Sequence, residues 1–268
     1  MPKISVIMGC YNAEKFMDEA IQSIINQTYT DWEFIICDDG STDRTYEKIL
    51  EWQKREERIV PIQNKKNLGL AKSLNNCIKI SKGKFIARMD ADDYSYENRL
   101  EEQLIFLEQQ SKYSFCGCNV NYFDDNGIWG KSDLRKEVTK EMVFKANQFI
   151  HPTIFIRKDA LLDVGKYTVK KYTYRTEDYD LWCKLYNNNY IGTNVERIFL
   201  KYREDNESLK KRKFKYRLDA YKLRILWRKQ MKLPFYYSIY AFKPIIAGLI
   251  PQFIILRRHK QKFQNKNQ

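Results

Sequence analysis

Apolar residues in this chain fall into short unbroken runs that alternate with helically spaced positions through the first 110 residues. Ile4 to Met8 reads as a strand. Asn12 follows as a candidate N-cap, and Phe16, Ala20, Ile21, Ile24 and Ile25 then share one helix face. Phe34 to Cys37, Ile59 to Ile62 and Phe85 to Met89 are further runs of strand length, continuous as expected for strands buried on both faces. Tyr46, Ile49 and Leu50 mark a second helix, and Ala71, Leu74 and Ile78 a third. Leu100, Leu104 and Leu107 mark a fourth that starts near Glu97. This alternation predicts an α/β fold with a mostly parallel central sheet, right-handed crossovers and helices on both faces.

Beyond residue 113 the pattern shifts to aromatic strands. Ser114 to Phe123 leads into a turn at Asp124-Asp125-Asn126-Gly127, and Ile154-Phe155-Ile156 reads as another strand. A helix is expected over Asp178 to Tyr186, and a long basic helical stretch over 207–230. Residues 233–256 are strongly apolar but contain Lys243, Pro244 and Pro251. The length suffices to span a bilayer, yet the prolines break a single helix and cations flank both sides, so an interfacial or re-entrant anchor fits better. A hairpin packed on the globular core is the alternative.

Composition sharpens this picture. The chain has 268 residues, 19 Tyr, 15 Phe and a formal charge of +14, which calls for an acidic partner. The excess is concentrated in 201–232, where Lys210, Lys211, Arg212 and Lys213 form one cluster. Nucleic acid, anionic lipid and a polyanionic substrate all satisfy such charge, as does a solvated helix face. The adjoining apolar tail favours an anionic membrane surface, and no nucleic-acid recognition motif accompanies the charge. The six cysteines sit in or beside apolar runs, and Cys116-Gly117-Cys118 lacks zinc-knuckle spacing, so they read as reduced core residues. Met1 to Met8 passes straight into a strand without a secretory pattern, which points to the cytoplasmic face of the membrane.

The candidate chemistry lies where strands end. Phe85 to Met89 stops in Asp90-Ala91-Asp92-Asp93. Three carboxylates in four positions suit a hard divalent cation, and they suit equally an Asp-rich turn with Asp93 opening a helix. The first strand ends in Cys10-Tyr11-Asn12 and the second in Asp38-Asp39-Gly40-Ser41. A parallel sheet gathers these ends at one crevice. There Tyr11 can stack on a base, Asp39 can accept from the base's N–H, and the acidic cluster can hold Mg²⁺ or Mn²⁺ against a diphosphate. No P-loop or Gly-x-Gly-x-x-Gly run is present, so phosphate contacts fall to cations, with Lys72 and Arg88 as candidates.

Several segments in fixed order carry a resemblance: Ser5 to Met8 through Tyr11-Asn12-Ala13-Glu14, Ser23 to Thr28, Asp38 to Asp43, Asn67-Leu68-Gly69-Leu70, and Arg88 to Asp93. His151-Pro152-Thr153 and Thr176-Glu177-Asp178-Tyr179-Asp180-Leu181-Trp182 continue it. The sequence resembles a family 2 glycosyltransferase of the GT-A fold, of the bacterial polysaccharide type.

The resemblance implies that Tyr11 and Asp39 hold the base, Asp90 lies by the ribose and diphosphate, and Asp92 ligates the metal with Asp93 as a second contributor. It also implies inverting transfer, with Asp178 as general base and Glu177 as runner-up. The residue-level alternative is that the Glu177-Asp178 pair simply charges a helix N-terminus, and Asp180 is expected to support that helix. His151 and Trp182 are assigned to the acceptor or sugar site, with a structural role for His151 as the alternative. Gly9, where the family often has a stiffer residue, puts the rigidity of the first loop in question.

The implied organisation is a catalytic domain over 1–205, with a nucleotide-binding half at 1–110 and an acceptor half at 111–205, followed by a basic and apolar tail at 206–268. The implied substrates are a nucleotide sugar, most simply a UDP-sugar, and a lipid-linked saccharide acceptor. A non-catalytic nucleotide-sugar or glycan-binding module is the rival of another class.

Overall fold

The computed structural model describes residues 1–204, 214–249 and Phe263. Its N-terminal half follows the predicted alternation: β1 (Ile4–Cys10), α1 (Met17–Ile25), β2 (Trp32–Asp38), α2 (Thr45–Arg55), β3 (Ile59–Gln63), α3 (Leu70–Ile80) and β4 (Phe85–Arg88). Both sides of β1, β2 and β4 are buried, which explains their apolar runs, whereas β3 at the sheet edge is half-buried. Ile4, Val6, Met8, Phe34, Ile36, Phe85 and Ala87 enter one core, whereas Ile7, Ile35, Cys37 and Ile86 enter the other, shared with Leu74, Cys77 and Ile78 of α3.

The second half supplies β5 (Tyr94–Ser95), α4 (Arg99–Gln109), β6 (Phe115–Asp124), β7 (Gly127–Lys131), α5 (Lys140–Lys145), β8 (Phe155–Arg157), α6 (Lys158–Asp163), α7 (Glu177–Asn187) and β9 (Gly192–Arg203). All strands join one sheet in the order β3-β2-β1-β4-β8-β6-β9-β5, with β7 paired to β6. The expected parallel arrangement holds for β3-β2-β1-β4. It fails beyond β4, because β8 runs antiparallel to both β4 and β6, β7 turns back on β6, and β5 opposes β9; only β6 and β9 are parallel there. The sheet is therefore mixed. The β6–β7 reversal is the predicted turn, with Gly127 at φ 111°.

Two local expectations change. Asn12 does not cap α1, which starts at Met17. It sits at φ 51° and staples two loops instead: its N–H donates to Ser41 Oγ (2.9 Å) and its Oδ1 accepts from the Thr42 N–H (2.9 Å). Strand β9 had no counterpart in the sequence reading. Its polar positions mask the strand, and its pairing with β6 shifts register twice between Cys118 and Val120.

The last described elements are α8 (Phe214–Gln230), a 3₁₀ run over Phe235–Phe242 and α9 (Lys243–Leu249). Leu223 and Trp227 of α8 are buried in the core that contains α7, and Trp227 Nε1 donates to Asp180 Oδ1 at 2.8 Å. No helix among the described residues is long and apolar enough to cross a membrane. Leu233 and Ala241 are buried while several neighbours stay exposed, so the described part of 233–256 packs by one side. Residues 250–256 of that expected anchor lie outside the described residues.

Candidate active site

Register brings the strand ends together. Cys10 pairs with Asp38 across β1 and β2, and Ile7 pairs with Arg88 across β1 and β4, so the residues after all three strands emerge at one edge. A cavity of about 700 Å³ opens there, lined by Tyr11, Asp39 and Asp90 from the strand ends and by Glu177 from the start of α7. Its size suits a small-molecule ligand.

Of the pair Asp38-Asp39, only the second reaches the cavity. Asp38 is fully buried and accepts from Ser41 and from Gln63 Nε2 (3.0 Å), which closes its own turn. Asp39 accepts from Asn64 Nδ2 (2.8 Å) and from the N–H groups of Leu68 (2.9 Å) and Gly69 (2.8 Å). A carboxylate has about four lone-pair sites, so one direction remains for a ligand donor. Tyr11 keeps 46% of its surface exposed, as a stacking platform requires.

The acidic run forms a cluster in which oxygens of Asp90, Asp92 and Asp93 lie within 4.8 Å of one another. Arg88 is buried beneath it and donates from both terminal nitrogens to the two Asp90 oxygens. Arg88 is thus a structural counter-ion of Asp90, not the phosphate contact expected from sequence. Asp93 is buried; Oδ1 accepts from the Arg203 N–H (2.9 Å), while Oδ2 has no hydrogen-bond partner among the described residues. Desolvation, then the charges of Asp92 and Asp90, raise its carboxyl well above the ordinary range. Asp92 is exposed by surface area yet crowded enough that desolvation, then the Asp90 charge, raise it to about 6. A buried orphan oxygen beside an exposed carboxylate, all hard oxygen donors, fits a hard divalent cation held by Asp92 with Asp90 or Asp93.

Across the cavity, Asp178 Oδ2 accepts from Asn147 Nδ2 (2.5 Å) and Oδ1 from the Tyr179 N–H (2.7 Å), which fixes its orientation. Burial raises its carboxyl. Burial, then the Asp178 charge, raise Glu177 to about 7. Glu177 lines the cavity and Asp178 stands one residue behind it.

The remaining sequence candidates land elsewhere. Lys72 is exposed on α3 and is not among the lining residues. The cations at the cavity are Lys170, Lys171 and Arg175, from the loop before α7, and Lys215 at the start of α8. Sequence reasoning missed them, although the run Lys170-Lys171-Tyr172-Thr173-Tyr174-Arg175 directly before Glu177 carried a signal in its density of cations and aromatics. Trp182, expected at the acceptor or sugar, is fully buried and stacks on Phe115 at 5.4 Å, so it offers no surface to a ligand. His151 is not among the lining residues; its Nε2 lies 2.7 Å from Tyr167 Oη, and burial, then the Arg88 charge, hold it well below its ordinary value and keep it neutral.

The sequence profile described as Glycosyl transferase family 2 matches residues 5–165. A Bacillus subtilis protein, EpsE, whose name carries a provisional glycosyltransferase assignment, is 38% identical over 268 residues, covering 100% of this chain and 96% of its own. The Escherichia coli UDP-Glc:alpha-D-GlcNAc-diphosphoundecaprenol beta-1,3-glucosyltransferase WfgD is 33% identical over 213 residues, covering 79% of this chain and 81% of its own. Among solved structures, Staphylococcus aureus TarS 1–349 in complex with UDP-GlcNAc superposes with a TM-score of 0.70 at 20% identity, over 90% of this chain and 70% of that one. That likeness is one of fold. The chain belongs to glycosyltransferase family 2.

Proposed function

We propose that this protein transfers a sugar, with inversion, from a UDP-sugar to a lipid-linked saccharide during polysaccharide synthesis. The observation that carries the reading is the meeting of Tyr11, Asp39, Asp90 and Glu177 on one cavity beside the Asp90-Asp92-Asp93 cluster. The activity named for WfgD supports a UDP-sugar and a diphospho-lipid acceptor, and the TarS complex is with UDP-GlcNAc. Six free, buried cysteines suit a reducing compartment, in keeping with the cytoplasmic side.

Tyr11 stacks on the base and the free lone pair of Asp39 takes a base N–H. Lys170, Lys171 and Arg175 offset diphosphate charge from the loop side. A divalent cation bound by Asp92 with Asp90 or Asp93 supplies charge neutralisation for the leaving group when present. The acceptor oxygen attacks the anomeric carbon, the bond from that carbon to the diphosphate oxygen breaks, and its electron pair leaves with UDP. The hydroxyl proton goes to Asp178, whose other lone pairs are fixed by Asn147 and the Tyr179 N–H. Glu177 as base is a second reading, favoured by its place on the cavity wall and its value of about 7.

The test incubates the full-length protein with Mn²⁺ and a panel of UDP- and GDP-sugars, followed by Asp178→Asn and Glu177→Gln. One UDP-sugar is expected to release UDP slowly. Asp178→Asn should keep UDP affinity and lower turnover about 10²–10⁴-fold. Wild-type turnover in Asp178→Asn with loss in Glu177→Gln would reverse the base assignment. Tight binding without turnover of any donor would favour the non-catalytic module.

A further inference from the structure

The described C-terminal elements leave an apolar stripe uncovered. Phe235, Tyr236, Ile239 and Phe242 of the 3₁₀ run and Ile246 of α9 are all exposed. Phe235 is 81% exposed, Tyr236 and Ile239 69% each. Their neighbours Leu233 and Ala241 are buried, so the segment is seated on the protein and the stripe faces outward by construction. Exposed aromatic and aliphatic side chains this concentrated mark an interaction surface.

The charge around the stripe selects its partner. Residues 214–249 contain eight Lys and Arg against one acidic residue, Asp219. The Arg228 guanidinium lies 5.5 Å from the Phe235 ring centroid, and Lys229, Lys232 and Lys243 are exposed nearby in sequence. A second copy of this chain would bring the same cations face to face. An anionic bilayer instead offers headgroups to the rim and acyl chains to the stripe.

We infer that this stripe and its cationic rim are a monotopic docking surface for an anionic lipid bilayer. Helix α8 links the surface to the cavity. Lys215, Tyr216 and Asp219 at its start line the cavity, and its far end reaches Arg228 beside Phe235. The stripe runs back along this helix: Phe235 lies beside Arg228, the Phe242 ring is 5.0 Å from that of Tyr221, and Arg217 Nη1 donates to the Pro244 carbonyl at 3.2 Å. Docking therefore lays α8 along the headgroups with the cavity at its start close to the bilayer, which suits the lipid-linked acceptor of the proposed function. The docking itself does not depend on that function.

The test is co-sedimentation of the full-length protein with phosphatidylcholine vesicles, with and without phosphatidylglycerol. Binding is expected to require phosphatidylglycerol and to weaken in high salt. The double substitution Phe235→Ser with Ile239→Ser should lower partitioning about ten- to a hundredfold, since two large side chains lose their burial, while melting temperature and slow UDP-sugar hydrolysis stay at wild-type values. Unchanged partitioning of the double variant would overturn the inference. So would a fall in melting temperature, or conversion of a dimer to monomer, without any change in vesicle binding, because the stripe would then be covered by this chain or by its copy. Vesicle binding needs no nucleotide sugar and donor hydrolysis needs no vesicle, so each claim fails separately.

Discussion

Arg88 sets the electrostatics of the site although no ligand is expected to touch it. Its guanidinium is buried, gripped by both oxygens of Asp90, and its charge reaches Glu177, Asp178 and His151 on the far side. Even so, desolvation wins at Glu177, whose folded value of about 7 stands above its ordinary 4.5. Between those values the folded protein holds a proton that the unfolded chain has released, so stability falls as pH rises through this window and levels off above it. Glu177→Gln removes the penalty. It should be more stable than wild type at pH 8 by about 1–3 kcal/mol, with no gain at pH 4, in urea denaturation at the two pH values. An equal effect at both would show that Glu177 does not ionise at a cost. At this scale the strand pattern put Tyr11, Asp39 and Asp90 at one crevice and the resemblance added Glu177 on the acceptor side; all four line one cavity. The sequence could not tell that Arg88 faces inward or that Trp182 is core, because side-chain direction at a strand end or helix start depends on packing that no linear pattern encodes.

Among elements, the turns after β1 and β2 shape the cavity wall that carries Tyr11 and Asp39. Asp38 closes its own turn and Asn12 ties it to the loop after β1. Between them Gly40 sits at φ 71°, where an added Cβ would lie 2.7 Å from the Lys66 carbonyl carbon. Gly40→Ala should therefore cost about 1–3 kcal/mol of stability, the range for forced backbone strain. It should also weaken UDP binding, since Asp39 is held against Leu68 and Gly69 in the same loop. Denaturation and a UDP titration check both effects, and wild-type values for both would remove this turn from the account. The parallel half of the sheet was legible because strands buried on both faces produce continuous apolar runs. The antiparallel half was not, because β8 spans only Phe155–Arg157 and β9 carries exposed Glu196 and Arg197 within a shifted register.

For the whole molecule, the charge of +14 and the apolar C-terminal stretch were visible before any fold. Their arrangement needed coordinates: one side of the stretch packs through Leu233 and Ala241, and the other presents the stripe. The long basic helix likewise proves to be anchored in the core through Leu223 and Trp227, with its first turns at the cavity. Cavity, acidic pair and outward stripe are thus parts of one connected body. The central claim is that the cleft binds a nucleoside diphosphate through a cation held by the acidic run, and titration calorimetry of UDP in the presence and absence of Mn²⁺ tests it most directly. The account predicts UDP binding that requires Mn²⁺ in the wild type and is lost in Asp92→Asn. Binding of equal affinity without the cation, or undiminished in Asp92→Asn, would contradict it.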